Sequence, residues 1–160
     1  MYQVTELAPG DFEEWAALFR AYIDFYESSL PEDQYKNTFD RIIEKRDGLQ
    51  ALVMRETENG NVKMVGLAHF FPQQTTWNER KILFLNDKTD MSDCCLDLFV
   101  DPSVRGKGLG RRLIEAVADV ARRDGYIRVQ WLTKHDNTTA QRLYDKVAQS
   151  LFKEYRMSLQ

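Results

Sequence analysis

The chain has 160 residues, 43% apolar and 12% aromatic, enough for the core of one domain over residues 1–160. Its 22 basic and 25 acidic residues leave a formal charge of -3, so it lacks the global positive field that nucleic acid or an anionic membrane surface demands. No charged, apolar leader opens the chain and no stretch approaches the roughly 18 consecutive apolar residues of a membrane span, so a soluble protein of the cytoplasm is expected.

Residues 2 to 7, YQVTEL, are predicted as a short strand, broken by PGD, whose Asp11 can cap a helix. Phe12, Trp15, Leu18, Phe19, Tyr22, Ile23 and Tyr26 then recur at steps of three and four, which lines one helical face. A second helix starts after Pro31, carries Tyr35, Phe39, Ile42 and Ile43 on one side, and ends near Gly48. LQALVMRE (49 to 56) and VKMVGLAHFF (62 to 71) form a hairpin that turns at Asn59-Gly60 and ends at Pro72. ILFLND and CLDLFV are two further β-type runs, separated by the polar KTDMSDC, and read either as a hairpin or as one broken strand.

Leu109, Leu113, Val117 and Ala121, with Ile114 and Ala118 beside them, stripe a helix that stops at Gly125. YIRVQWLT (126 to 133) follows as a strand. HDNTTAQRLYDKVA is a helix capped by Asp136, Asn137 or Thr138, and LFKEYRMSL closes as a strand. The order β-α-α-β-β-β-α-β-α-β predicts an α/β (α+β) fold, a central mixed sheet flanked by about four helices.

Cys94 and Cys95 are neighbours whose Cα atoms sit only about 3.8 Å apart, too close for a comfortable disulfide, and are expected as free thiols on a strand. With His69 and His135 they show no ligand spacing, so no metal is expected. Both histidines read as hydrogen-bonded structural residues rather than bases.

The informative stretch is FVDPSVRGKGLGRRLIEAV, residues 99 to 117, which runs from a β-type segment through a basic loop into a helix. Gly106, Gly108 and Gly110 stand among Arg105, Lys107, Arg111 and Arg112. Amide N–H groups in such a loop, together with the helix dipole, make an anion site suited to phosphate; a plain tight turn with a solvated basic face is the alternative. A Walker loop is excluded because Gly106-Lys107 is followed by Gly108, and the dinucleotide fingerprint because the spacing is G-x-G-x-G after several strands.

Arg105-x-x-Gly108-x-Gly110 resembles the Arg/Gln-x-x-Gly-x-Gly/Ala acetyl-CoA motif of the GNAT superfamily of N-acetyltransferases, and the element order is similar to that family's from first strand to last. Asn137, Ala140 and Tyr144 are similar to its N-x-x-A-x-x-x-Y segment, although Ala148 stands where a glycine commonly follows. GLAHFFPQQTTW, LDLFVDPSVRGKGLG and AYIDFYESSLPED look like the branch of diamine and spermidine/spermine acetyltransferases and small fungal histone or polyamine acetyltransferases, where dimers are frequent. The diamine enzymes tend to carry Glu-Asp where this chain has Leu96-Asp97.

The resemblance implies acetyl transfer from acetyl-CoA, as cosubstrate, to a primary amine by direct attack in a ternary complex. That chemistry needs a neutral nucleophile, a polarised carbonyl and a protonated leaving thiolate. The backbone of Leu98, Phe99 and Val100 is expected to polarise the carbonyl and pair with the pantetheine arm. Arg105, Gly106, Lys107, Gly108, Gly110 and Arg111 hold the pyrophosphate, and Asn137 holds the pantetheine. Tyr144 is the expected acid, because a phenol pKa of about 10 lies close to a thiol's; packing beside Leu143 is its other reading. Asp97, on the opposite sheet face from Leu96 and Leu98, is the expected base or ammonium ligand, or a surface carboxylate.

Asp87, Asp90 and Asp93 form either an acidic rim that draws a polycation or solvated loop charge. Tyr22, Tyr26 and Trp77 can wall an acceptor pocket, their rings suited to an ammonium, while core packing equally accounts for the two tyrosines. The expected acceptor is a polyamine, an amino acid or another small amine metabolite. A protein or histone-tail lysine is one alternative; a non-catalytic acyl-CoA-binding regulatory module is another, kept open by the missing Glu beside Asp97.

Overall fold

The computed structural model describes residues 1–85, 98–133 and 135–151. Six strands form one mixed sheet in the order β1-β2-β3-β4-β6, with β5 also on β3. The edge strand β1 (Tyr2–Glu6) is antiparallel to β2 (Gln50–Glu58), which turns at Asn59 and Gly60 into β3 (Asn61–Gln73). Those two turn residues have φ of 50° and 81°, as a two-residue hairpin of native twist requires.

β3 does not end at Pro72 but runs through it, pairing Pro72 with Leu83. The reason lies in the neighbours. β2 accompanies β3 only as far as Phe70, so beyond that point β3 has β4 alone beside it, and a residue without an N–H is tolerated at such an edge.

β4 (Ile82–Leu85) and β5 (Leu98–Val100) lie end to end along the same side of β3, both antiparallel to it. Phe70 to Gln73 face Leu85 to Ile82, and Ala68 to Gly66 face Leu98 to Val100, so the break falls opposite His69. The two β-type runs are therefore one broken strand. Residues 86–97 between them, including Cys94, Cys95, Asp97 and the acidic residues 87, 90 and 93, lie outside the described residues.

β6 (Val129–Gln130) runs parallel to β4 and is far shorter than the expected 126–133. Pairing stops there because the neighbouring strand itself breaks. Among the described residues nothing pairs with the outer edge of β5.

Four α-helices flank the sheet among the described residues. α1 (Phe12–Phe25) and α2 (Glu32–Ile43) cover one face; α3 (Leu109–Arg123) covers the other, and α4 (Thr138–Tyr144) follows β6. The stripe on α1 is buried as its spacing predicts, with Trp15 and Tyr22 at 0% and 2% exposure. Each such large side chain, removed from water, contributes about 1.5–3 kcal/mol. Trp15 Nε1 donates to Nε2 of the buried His69 at 2.9 Å, which makes that histidine a structural acceptor inside the α1 core.

α3 stops before Gly125, whose φ of 76° lets Tyr126 N–H return to Ala121 O. α4 ends at Tyr144 rather than near Ala148, the chain continuing as turns in which Ala148 N–H bonds Tyr144 O at 2.8 Å. The expected closing strand falls on residues 151–159, of which only Leu151 is described, and Leu151 belongs to no strand. No helix among the described residues is long and apolar enough to cross a membrane.

Candidate functional site

The broken strand creates the site. Along a strand, successive residues aim their backbone groups at alternate sides. Asp101 N–H bonds Val65 O of β3 at 2.9 Å, so Phe99 also turns its backbone to β3, while Leu98 and Val100 turn theirs to the open edge. Side chains alternate across the sheet as well. Phe99 is buried in the α1 core, 5.8 Å from Tyr22, whereas Leu98 and Val100 pack half-buried on the α3 side. Of the three backbone segments expected to meet a cofactor, Leu98 and Val100 thus turn theirs to the edge that no described residue pairs, while Phe99 turns its own to β3.

β5 is held close to α3 by a small residue opposite it. A Cβ placed on Gly66 would stand 3.1 Å from both Leu113 Cδ1 and Phe99 O, so a larger residue would require β5 or α3 to give by a few tenths of an ångström.

After β5, Asp101 caps a short turn, Pro102–Val104, its carboxylate accepting from Ser103 N–H and Oγ at 2.9 and 2.7 Å. Those bonds, with Lys63 nearby, hold its pKa below the ordinary carboxylate value. The glycine loop follows. Gly106 and Gly108 have φ of 81° and 72°, and nothing lies within 4 Å of a Cβ on either, so the loop is left-handed and open in front. Gly108 is the N-cap of α3 and offers no side chain, so the first N–H groups of that helix carry no side-chain cap.

The four cations are less free than the sequence suggests. Arg105 Nε donates to Val100 O at 3.1 Å and its guanidinium lies over Phe25. Lys107 Nζ donates to the Tyr2 hydroxyl at 2.7 Å, which raises its pKa, and Tyr2 donates in turn to Glu56. Arg111 pairs with Glu115, and Arg112 reaches Tyr2 O. The loop's capacity for an anion therefore rests on its backbone amides and the helix dipole.

On the α3 side of the sheet the candidate site continues into β6 and α4. Trp131 follows β6 and meets Tyr144 edge-on, centroids 5.6 Å apart, and both are half-buried on the same cluster as Leu98 and Val100. α4 is pressed against the start of α3: a Cβ on Gly110 would lie 3.5 Å from Leu143 Cδ2. Asn137 Oδ1 caps α4, accepting from Ala140 N–H at 3.2 Å. On the α1 side, Tyr22 and the half-buried Tyr26 are in edge contact at 5.2 Å and join Phe99. Trp77 stands apart in the connection between β3 and β4, 95% exposed.

Two contributors escaped sequence reasoning. Phe25 continues the α1 stripe from Leu18 and Tyr22 at steps of seven and three, so it carries no sequence signal that its ring turns out of the core to Arg105. Tyr2 offers none, since its partner Lys107 is 105 positions away.

The comparisons with known proteins agree with this geometry. The Acetyltransferase (GNAT) family model matches residues 15–148. The chain is 34% identical over 145 residues to the D-amino-acid N-acetyltransferase HPA3 of Saccharomyces cerevisiae, covering 91% of this chain and 83% of that one. It is 28% identical over 97 residues to the L-ornithine N5-acetyltransferase NATA1 of Arabidopsis thaliana, covering 61% of this chain and 38% of that one. Its fold is similar to the aminoglycoside N-acetyltransferase AAC(6')-Iy in complex with CoA, with a TM-score of 0.76 and 17% identity over 100% and 95% of the two chains. Open strand edge, glycine loop and family match converge, and the chain belongs to the GNAT family as an acetyl-CoA-dependent N-acetyltransferase.

Proposed function

We propose that the chain moves the acetyl group of acetyl-CoA to the primary amine of a small molecule, an amino acid or a polyamine, by direct attack in a ternary complex. The observation that carries this is the open edge of β5 ending in an uncapped helix N-terminus. A strand edge suits the amides of a pantetheine arm, and the helix start suits its pyrophosphate. Bound there, acetyl-CoA supplies an activated thioester.

In this reading Gly106, Gly108 and Gly110 leave the loop backbone accessible to the pyrophosphate. Arg105, Lys107 and Arg111 add positive potential from their tethered positions. Val100 N–H and the backbone of Leu98 take the pantetheine and polarise the carbonyl. Asn137 orders α4 through its cap and directs its amide to the pantetheine. Tyr144 gives its proton to the departing thiolate. Asp97, just before β5 in the chain, takes the proton of the amine.

The half-buried Tyr26 lines the acceptor side with the buried Tyr22 packed behind it, while Trp77 stands apart in the β3–β4 connection. Relatives named for D-amino acids and for ornithine support a small amine acceptor. The diamine-like sequence features keep polyamines in the same class. A homodimer in the cytoplasm, built from a single domain per chain, completes the proposal.

The test is release of CoA thiol from acetyl-CoA across a panel of D- and L-amino acids, ornithine, spermidine and a histone-tail peptide. Turnover with a free small amine is expected. Turnover on the peptide alone would move the acceptor to protein lysine. Tight acetyl-CoA binding without turnover on any amine would leave a non-catalytic binding module.

A further inference from the structure

We infer that Phe25 is a positioning residue for the acetyl-CoA loop: it holds the Arg105 side chain against the Val100 carbonyl and so ties the end of α1 to that loop. The inference rests on the loop being the acetyl-CoA site. Phe25 is the last residue of α1 and is 52% exposed, so core packing does not account for an aromatic there. Its ring faces the Arg105 guanidinium, whose central carbon is 4.8 Å from the ring centroid. Phe99 presents a second ring at 5.7 Å. Tyr26 braces Phe25 edge-on at 5.0 Å.

The guanidinium thus lies over two rings while its Nε donates to Val100 O at 3.1 Å. A planar, delocalised cation can stack and hydrogen-bond at once, which a compact ammonium cannot do. Arginine is also among the side chains with most rotamer freedom to lose. With Phe25 in place that ordering is complete before any ligand arrives.

The arrangement has two effects on the site. It occupies the Val100 carbonyl on the open edge, leaving the Val100 N–H as the group for a ligand. It also fixes Arg105, where the chain leaves the Pro102–Val104 turn, so Gly106 and Gly108 start from an anchored point. A loop that relies on backbone amides needs that anchor more than one that relies on flexible cations. Phe25 touches neither reacting group, so its action runs through Arg105.

The experiment is calorimetric titration of acetyl-CoA into the parent, Phe25→Leu, Phe25→Tyr, Arg105→Lys and the double variant Phe25→Leu/Arg105→Lys. An exposed cation–π stack predicts that Phe25→Leu weakens acetyl-CoA about three- to fivefold. kcat at saturating acetyl-CoA stays at the parent's value, and the melting temperature falls by no more than about 2–4 °C, because an exposed stack is lost while the core is untouched. Phe25→Tyr keeps the ring and restores affinity. In the Arg105→Lys background, Phe25→Leu adds less than about twofold, since the two residues act as one unit.

Phe25→Leu binding like the parent, failure of the tyrosine to restore affinity, or independent multiplication of the two effects would each overturn the inference. A parent that does not bind acetyl-CoA at all overturns the cofactor reading, and this inference with it. A parent that binds while Phe25→Leu matches it overturns this inference alone.

Discussion

Gly108 and Gly60 form a matched pair on which the loop assignment can be tested. Their φ values are 72° and 81°, and neither has an atom within 4 Å of the place a Cβ would take, yet one caps α3 and the other closes the β2–β3 hairpin. Alanine at either position meets no clash, only the left-handed backbone. That strain is about 1–2 kcal/mol for an L-residue, offset in part by the smaller entropy of the unfolded chain. A net loss near 1 kcal/mol lowers the melting temperature by about 2–4 °C in a domain of this size. Gly60→Ala and Gly108→Ala should therefore melt alike. They should bind differently. In the proposed site a methyl group at Gly108 would stand where the pyrophosphate meets the loop, and losing one N–H bond to a charged acceptor is worth about 1.5–3 kcal/mol, tenfold or more in affinity. Calorimetry with acetyl-CoA on both variants reads this directly. Equal affinities in the two variants would refute the loop as the anion site, and unequal melting would refute the strain argument.

Tyr144→Phe keeps the edge contact with Trp131 but removes the hydroxyl, so kcat at saturating acetyl-CoA should fall about 10²-fold, the deficit narrowing at high pH where a thiolate needs no acid. Turnover within about twofold of the parent at every pH would remove Tyr144 from the acid role. Asn137→Ala loses the α4 cap and about 1 kcal/mol of stability, and should also raise KM for acetyl-CoA; a melting shift with KM unchanged would leave only the cap. Asp101 has a folded pKa below its unfolded one, so its contribution is present at neutral pH and disappears as pH falls through those acidic values. Urea unfolding should show Asp101→Asn less stable than the parent at pH 7 and the gap closing below about pH 4. Trp15→Phe removes the buried Trp15 Nε1–His69 Nε2 hydrogen bond and should lower the unfolding free energy by about 1 kcal/mol or more, read from the same denaturation curves.

The features legible in the sequence are those set by local rules. The glycine loop could be read because positions 106 and 108 adopt a backbone that other residues resist, and α1 because its buried face recurs with the helical period. The features that were not legible depend on partners distant along the chain. Whether ILFL and LFV form a hairpin or one broken strand is decided by their common register on β3, which no local pattern encodes. The extent of β6 is set by where its neighbour breaks, and Pro72 enters β3 because β2 has already left it. In the site, the glycines and Asn137 announce themselves by motif, whereas the tethering of Lys107 to Tyr2 and of Arg105 to Phe25 is purely tertiary.

The alternating aim of the backbone along β5 and into Asp101 writes a distinct isotope-labelling pattern into four consecutive residues. The Phe99 amide, turned to β3, and the Asp101 amide, bonded to Val65 O, are shielded from deuterium until the sheet opens. The amides of Leu98 and Val100 face an edge that no described residue pairs, and should exchange faster in the ligand-free protein. A molecule that docks as an extra strand must slow those two and leave their neighbours almost unchanged, whereas general tightening of the domain would slow all four. Residue-resolved deuterium uptake over positions 98–101 therefore separates edge docking from global stabilisation without any need for turnover.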